Sequence, residues 1–216
     1  KNLVCSLRKH SFLISERIRM DKKDVIKITL ELIKEKKLEK TSIGEIVKKL
    51  DSSPGNLYYH FKSKNEIYKE TADYSYTEII KSLNNVKSEN NRQSYLFRLT
   101  KTLIKFFEER EDILYFLMSI RGSYFFDKES GQQNFLAKFQ KILSEEKPDT
   151  EQEKQISLKL NMFLGSVYEV LYVNKLVNKR NLNEEEIKEM CMSFWGNIEM
   201  ENYKTCEQNS LKVGLS

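Results

Sequence analysis

Polar aromatic and cationic side chains are concentrated in one short stretch, SSPGNLYYHFKSKNEIY, which spans residues 52–68. Tyrosine, histidine and lysine tips at this density suit nucleic acid, because they reach phosphate oxygens and base edges. Gly55 adds no side-chain bulk and would let the backbone approach a base pair closely. The structural alternative is that Tyr58 and Tyr59 pack against the next helix. In that case Lys62 and Lys64 are simply exposed to solvent. The stretch as a whole favours DNA contact.

Three short helices are predicted to position this stretch. Apolar spacing at Ile26, Leu30 and Ile33 indicates a first helix that ends near Lys37. Ser42 followed by Glu45 predicts a capping box at the start of a second helix. The inner face of that second helix is formed by Ile43, Ile46, Val47 and Leu50.

A third helix begins almost at once after the second. Ser53 is a suitable N-cap, and Pro54 suits the first helical position, where a missing amide hydrogen costs nothing. Leu57 and Phe61 supply the apolar contact of this helix. Two short helices joined by a turn of about four residues predict a helix-turn-helix, whose second helix enters the major groove.

The composition predicts an all-α chain. Only two prolines and seven glycines occur in 216 residues, so few turns interrupt the helical spacing. We expect no contact with a membrane, because no charge-poor run reaches the ~18 residues of a span. Walker, dinucleotide-binding and G-x-S-x-G motifs are missing, and two histidines with three scattered cysteines predict no metal site. We therefore expect a protein of the reducing cytoplasm that is not an enzyme and takes no cofactor.

The net charge of +5 is located mostly at the N-terminus. Residues 1–19 contain five lysines and arginines against Glu16, a net charge of +4, which leaves +1 for residues 20–216. Bulk charge therefore says little about DNA binding. Helical periodicity begins after Met20, so we expect residues 1–19 to be a separate basic segment. This segment is one of three things: an arm without its own fold, an arm that reaches into DNA, or sequence translated upstream of the natural start.

Residues 22–69 resemble the DNA-binding domain of the TetR/AcrR family of bacterial transcriptional regulators, with TSIGEIVKKL as second helix and LYYHFKSK as the most specific match. The resemblance implies a homodimer that binds double-stranded DNA at a near-palindromic operator. It also implies that the second helix contacts phosphate at its start and that the third helix contacts bases and backbone. The implied DNA-binding residues are Thr41, Ser42, Ser53, Gly55, Asn56, Tyr58, Tyr59, His60 and Lys64.

Three residues, at two places in the chain, depart from the family pattern. Lys37 stands where the family usually has glycine at the end of the first helix. Leu50 and Asp51 stand where it has an Ala-Gly pair. Because Asp tolerates left-handed backbone better than most residues, we expect the turn to form nevertheless.

The chain divides by prediction into residues 1–19, a helix-turn-helix domain over 20–69, and a helical effector-binding and dimerisation domain over 70–216. Aromatic residues are frequent between residues 95 and 139. They either form ordinary core or, as the family resemblance implies, line an effector cavity. Arg121 either faces an anionic headgroup there or extends to solvent or a helix end. The candidate pocket residues are Phe106, Phe107, Tyr115, Phe116, Arg121, Tyr124, Phe125 and Glu169.

The segment at residues 156–177, ISLKLNMFLGSVYEVLYVNKLV, is apolar on more than one side and must be covered on more than one side. With the next helix it resembles in position the family's dimer-forming pair, which builds a four-helix bundle. Glu169 is the only acid of this segment. It marks a solvent-facing strip, a polar contact across the dimer seam, or an anchor for an effector. The predicted dimer residues are Phe163, Val167, Val170, Ile187, Met190, Phe194 and Ile198.

The family resemblance implies a homodimeric repressor that a small, largely apolar effector releases from its operator. The alternatives are an activator with the same fold, a regulator controlled by a protein partner, and a carrier of hydrophobic ligands. A carrier is expected to have a degraded third helix, whereas GNLYYHFKSK is intact.

Overall fold

The computed structural model describes residues 20–121, 132–144 and 150–196, and the regular structure of these ranges is entirely helical. The predicted all-α class is therefore confirmed. The helices α1 to α9 are, in chain order, Lys22–Lys36, Ile43–Lys49, Pro54–His60, Lys64–Asn84, Arg92–Glu109, Glu111–Ile120, Gln132–Leu143, Thr150–Leu171 and Glu184–Trp195. A 3-10 turn at Leu38–Lys40 follows α1, and a π-helical turn at Tyr172–Val177 continues α8.

Some predicted features fall outside the described residues. These are the basic segment 1–19 and the candidate site residues Tyr124, Phe125 and Ile198. Within the three described ranges, every helix is too short or too polar to cross a membrane.

Side-chain caps fix where α2 and α3 begin. The Ser42 hydroxyl accepts a hydrogen bond from the Glu45 amide at 3.2 Å, and the Glu45 carboxylate accepts one from the Ser42 amide at 3.0 Å. This is the predicted capping box. The Ser53 hydroxyl accepts from the Asn56 amide at 3.2 Å, and Pro54 is the first residue of α3. Both predicted helix starts are confirmed.

Two non-glycine residues near the helix-turn-helix have positive φ angles: 73° at Lys37 and 48° at Asp51. They are two of the positions at which the sequence departs from the family pattern. Asp51 lies in the left-handed region that Asp tolerates, so the turn between α2 and α3 forms without glycine, as predicted. Lys37 combines its φ with a ψ of 160°, a conformation that is costly for a residue with a Cβ atom.

The buried apolar side chains form two clusters, and helix α1 belongs to both. The smaller cluster joins one side of α1 to the helix-turn-helix, and includes Val25, Leu32, Ile46, Leu57 and Phe61. The larger cluster fills the space among α4 to α9 and takes in Ile26, Leu30 and Ile33 from α1. Because α1 is packed on two sides, it joins the helix-turn-helix to the remaining helices.

The structure corrects the predicted dimer surface. Three of its residues are 0% exposed within the single chain, namely Phe163, Val167 and Ile187. Three others are half-buried against the larger cluster, namely Val170, Met190 and Phe194. The physical reason is that aromatic side chains of this chain cover that side of α8, with the Phe163 ring 5.3 Å from Phe139 and 4.8 Å from Trp195. The three fully buried side chains are core residues and are not available to a partner.

Candidate nucleic-acid interface

Helix α3 is held in place by a small number of apolar side chains on its inner face. Leu57 is 0% exposed, Phe61 at its C-terminal cap is 1% exposed, and both pack with Ile46 of α2. Because α3 has only seven residues, most of its other side chains must point away from the core. The sequence of α3 therefore dictates a polar, aromatic outer surface.

Tyr58, Tyr59 and His60 form this outer surface. Tyr58 is 52% exposed and Tyr59 is 83% exposed, and the Tyr59 and His60 rings meet edge to face with centroids 5.1 Å apart. Packing against a neighbouring helix does not account for tyrosine side chains that are this exposed. Rings that combine an apolar body with a polar tip are suited to a partner surface.

The N-terminal tip of α3 is open. A Cβ atom at Gly55 would have Ser53 Oγ as its nearest neighbour, at 4.0 Å. Packing inside this chain therefore does not require glycine here. Asn56 is exposed beside it, and its side-chain amide donates to the Ser52 hydroxyl at 3.1 Å. This tip can approach a base pair without steric hindrance from its own side chains.

Two lysines lie at the corner between α3 and α4. Lys64, the first residue of α4, is half-buried, and its ammonium group lies 5.2 Å from the centre of the Tyr68 ring. Lys62 is exposed, and its backbone amide donates to the Glu66 carboxylate. The Lys64 charge thus lies over an aromatic ring of its own helix at the start of α4, while Lys62 is exposed to solvent.

The start of α2 differs from the expectation. Thr41 is 1% exposed and its hydroxyl donates to the Lys37 carbonyl at 3.0 Å, which corrects its assignment as a phosphate contact. Ser42 is exposed, but the Glu45 carboxylate already occupies its amide. Lys36 of α1 pairs with that carboxylate at 2.6 Å. This hydrogen bond, together with the one from the Ser42 amide, lowers the pKa of Glu45 from its ordinary value.

The pair between Lys36 and Glu45 was not found from the sequence. The capping box predicts the local bonds of Glu45, but Lys36 reaches it across the turn between α1 and α2, which only the folded chain brings together. A DNA phosphate at the start of α2 would have to compete with an internal carboxylate for the same amide.

Residues 25–71 match the model of the family described as bacterial regulatory proteins, tetR family. This match supports a DNA-binding domain of the TetR type within the chain. The matched region contains most of α1, the whole helix-turn-helix and the first turns of α4. No curated protein matches the chain significantly.

Solved structures share the fold of this chain. A TetR family transcription regulator from Marinobacter aquaeolei VT8 gives a TM-score of 0.64 at 18% identity, covering 81% of this chain and 93% of that chain. A transcriptional regulator from Aquifex aeolicus VF5 gives 0.55 at 22% identity, with 80% and 95% covered. The fatty acid degradation regulator FadR from Bacillus halodurans gives 0.62 at 11% identity, with 82% and 96% covered. Likeness at these identities establishes the fold.

The predicted effector residues of this chain have different environments. Phe107 and Phe116 are 0% exposed in the larger cluster, with ring centroids 5.6 Å from Tyr168 and 6.4 Å from Tyr68 respectively. These two are core residues, which corrects their assignment to a pocket. Phe106 and Tyr115 are half-buried against the same cluster.

Arg121 and Glu169 lie on the surface. The exposed Arg121 guanidinium is 4.9 Å from the centre of the buried Tyr168 ring, a cation–π contact. Glu169 is exposed on the outer side of α8, which corrects its assignment to an effector pocket and leaves the solvent strip and the dimer seam as its alternatives.

An open groove with a volume of about 410 Å³ runs along the outer face of α5. Phe106 is the predicted pocket residue that contributes to it. The three cations of the groove already have carboxylate partners. Arg98 pairs with Glu89, Lys101 with Glu184, and Lys105 with Glu108. The groove therefore offers an anionic ligand no unpaired cation. Its lining residues are Ser82, Phe97, Arg98, Lys101, Thr102, Lys105, Phe106 and Glu109.

Proposed function

We propose that this protein is a homodimeric TetR-family transcriptional repressor of the cytoplasm that binds a near-palindromic operator and is released from it by a small, largely apolar effector. The observation on which the proposal mainly depends is the outer surface of α3. Tyr58 and Tyr59 are more than half exposed, and the glycine at position 55 has no packing reason within the chain.

The proposed DNA contacts divide by position on the helix-turn-helix. Gly55 and Asn56, at the tip of α3, approach base edges in the major groove. Tyr58, Tyr59 and His60 contact bases or backbone from the outer surface of α3, and Lys64 contacts phosphate from the start of α4. Ser42 and Ser53, at the starts of α2 and α3, contribute through exposed hydroxyl and amide groups.

The proposed dimer forms through an exposed apolar surface of α8, its π-helical turn and α9, which we name the α8 seam. Leu158 is 62% exposed, Met162 59% and Val177 57%. Exposed large apolar side chains grouped in this way favour a protein interface. Residues 158, 162, 169 and 173 follow helical spacing, so Glu169 lies in the middle of the seam. The seam consists of Leu158, Met162, Tyr172, Val173, Val177 and Met192.

The proposed effector binds among the helices of the larger cluster. Support comes from the half-buried aromatic side chains Phe106 and Tyr115, which pack against that cluster. Arg121, whose guanidinium lies over Tyr168, offers a charge at the surface end of this region. A largely apolar compound with one polar end fits such surroundings.

The proposed DNA binding is tested by selecting duplexes from a random-sequence library and measuring their affinity by fluorescence anisotropy. We expect a near-palindromic duplex to be enriched and to bind two chains. Gly55→Ala should keep or slightly raise the free energy of unfolding, because alanine favours helix by up to about 1 kcal/mol, yet it should lower DNA affinity. Gly55→Val should lower DNA affinity further. Undiminished affinity in both variants would show that α3 does not dock through its tip.

A further inference from the structure

The carboxylate of Glu111 joins three separate helical elements. Glu111 is the first residue of α6, and one of its oxygens lies 2.9 Å from Nζ of Lys34 in α1. Its other oxygen lies 3.3 Å from Nζ of Lys175 in the π-helical turn. The side chains of Glu111 and Lys175 are only 25% and 16% exposed, and Lys175 also donates to the Asn181 side chain at 2.7 Å. The Lys34 side chain is 46% exposed, so salt screens the contact between Glu111 and Lys175 less than the contact between Glu111 and Lys34.

The charge state of this bridge is stable. The hydrogen bond from Lys34 lowers the pKa of Glu111 from its ordinary value, and Lys175 acts in the same direction against the effect of burial. A carboxylate in the first turn of a helix is also favoured by the helix dipole. Glu111 is therefore ionised at neutral pH and attracts both lysines.

The bridge spans the boundary between the DNA-binding residues and the rest of the chain. Lys34 belongs to α1, which lies within the matched residues 25–71 and packs against the helix-turn-helix. Helix α6 lies alongside α1, with Ile113 and Leu117 in the same cluster as Leu30. The position of α1 on α6 thus sets the position of α2 and α3.

The third partner, Lys175, comes from an irregular element. In the π-helical turn the Asn178 amide donates to the Val173 carbonyl, five residues earlier, at 3.0 Å. Single π-helical turns occur frequently at functional sites. Tyr172, Val173 and Val177 of the same turn are 44%, 42% and 57% exposed and belong to the α8 seam. One turn therefore contributes both to the seam and to the Glu111 bridge.

We propose that Glu111 is a positioning residue that fixes the DNA-binding helices relative to the α8 seam, so that packing of a second copy on the π-helical turn raises DNA affinity. The inference rests on the proposed function. In this proposal a partner on the seam restrains the π-helical turn. The salt bridge from Lys175 then restrains Glu111, and the salt bridge from Lys34 to Glu111 restrains α1. Two α3 helices can occupy two half-sites only when both are held at a fixed spacing.

The positioning role is tested by an intramolecular distance between spin labels at Lys48→Cys in α2 and Gln140→Cys in α7, both exposed positions. Cys5 and Cys206 are replaced by serine, whereas Cys191 stays, because burial raises the pKa of its thiol to about 12 and leaves it unreactive. Labelled chains are mixed with excess unlabelled protein. We expect Lys175→Gln to broaden the distance distribution, and Lys175→Arg to restore it. Lys179→Gln, at an exposed lysine just beyond the turn, is the matched control. A distribution unchanged by Lys175→Gln overturns the positioning role.

Coupling to DNA is tested with the duplex that the wild type selects from a random library. Lys175→Gln should weaken binding about fivefold without a change in dimer dissociation. Lys34→Gln and Lys175→Gln should be non-additive in a double-mutant cycle, because their effects meet at Glu111. Additive losses, or unchanged affinity, overturn the coupling. If the wild type selects no duplex, the proposed function fails and the coupling to DNA with it, while the label distances still decide the positioning role.

Discussion

At the scale of single residues, Glu45 places a negative charge at the start of α2, beside the exposed Ser42. This carboxylate is hydrogen-bonded to Lys36 and to the Ser42 amide, so two groups able to attract a DNA phosphate are occupied by an internal acid. The capping box stabilises α2 at the expense of phosphate affinity.

Glu45→Gln should therefore strengthen DNA binding. Glutamine still caps α2, while loss of the charge removes repulsion of phosphate and releases Lys36. We expect an affinity gain of about three- to tenfold, with a slope of log affinity against log salt that is steeper by about one. Anisotropy titrations at several salt concentrations measure both quantities. Glu78→Gln, which breaks a similar lysine pair on α4, is the control. An equal gain there would attribute the effect to net charge alone.

Lys37 affects the stability of the fold, whereas Glu45 affects DNA binding. Its φ of 73° and ψ of 160° suit glycine, and a side chain there costs on the order of 1–3 kcal/mol. Lys37→Gly should raise the free energy of unfolding by about 1 kcal/mol after the greater entropy of the unfolded glycine is subtracted. Urea denaturation measures the change. Lys27→Gly, in the exposed middle of α1, should instead lower it by about 1 kcal/mol. Loss of stability in both variants would contradict the assigned backbone conformation.

At the scale of elements, a buried acid fastens the connection before α9 to α5. Glu108 is 4% exposed and accepts a hydrogen bond from the Leu182 amide at 2.6 Å. Lys105 pairs with the same carboxylate at 2.9 Å and donates to the Leu182 carbonyl at 3.3 Å. This arrangement satisfies the polar groups of a buried chain segment and fixes where α9 begins.

Glu108→Ala should lower the free energy of unfolding by about 2–4 kcal/mol, because it leaves the buried Leu182 amide and the Lys105 charge without their partner. Glu108→Gln keeps an acceptor oxygen and should lose less. Glu109→Ala, at the adjacent exposed acid, should change stability by less than about 0.5 kcal/mol. Urea denaturation ranks the three variants. Equal losses of stability at positions 108 and 109 would show that Glu108 does not fasten Leu182 to α5.

At the scale of the whole molecule, one side of α8 is core, whereas the other side carries exposed apolar residues among the described parts of the chain. Leu160 and Leu171 are 3% and 0% exposed, whereas Leu158 and Met162 are 62% and 59% exposed. The proposed dimer would cover this outer face, because a symmetric dimer pairs the same surface with itself.

Met162→Asp should shift the protein from dimer to monomer, because the charge would be buried at the seam without a partner. DNA affinity should fall with it, since one chain occupies only one half-site. Ser157→Asp is the control, as this exposed residue on the same helix points about 140° away from Met162 around the helix axis. Sedimentation velocity measures the mass of each. A dimeric Met162→Asp variant would place the interface elsewhere on the chain.

The sequence by itself determined the features that depend on near neighbours. Local contacts form the caps at Ser42 and Ser53 and the turn at Asp51, because each involves residues only a few positions apart. Sequence patterns therefore predict them, and with them the helix-turn-helix. The same holds for the outward aromatic pair on α3, because a two-turn helix with Leu57 inside leaves few other directions.

Only the tertiary structure decided which surfaces the chain covers for itself. Apolar periodicity finds both stripes of α8, yet it contains no information on which stripe meets Phe139 and Trp195 and which meets solvent. Thr41 turned inward and Lys36 reached Glu45 for the same reason, since each contact is set by how α1 lies on its neighbours. Contacts between residues distant in the chain depend on packing in three dimensions, and a periodic pattern in one dimension does not encode it.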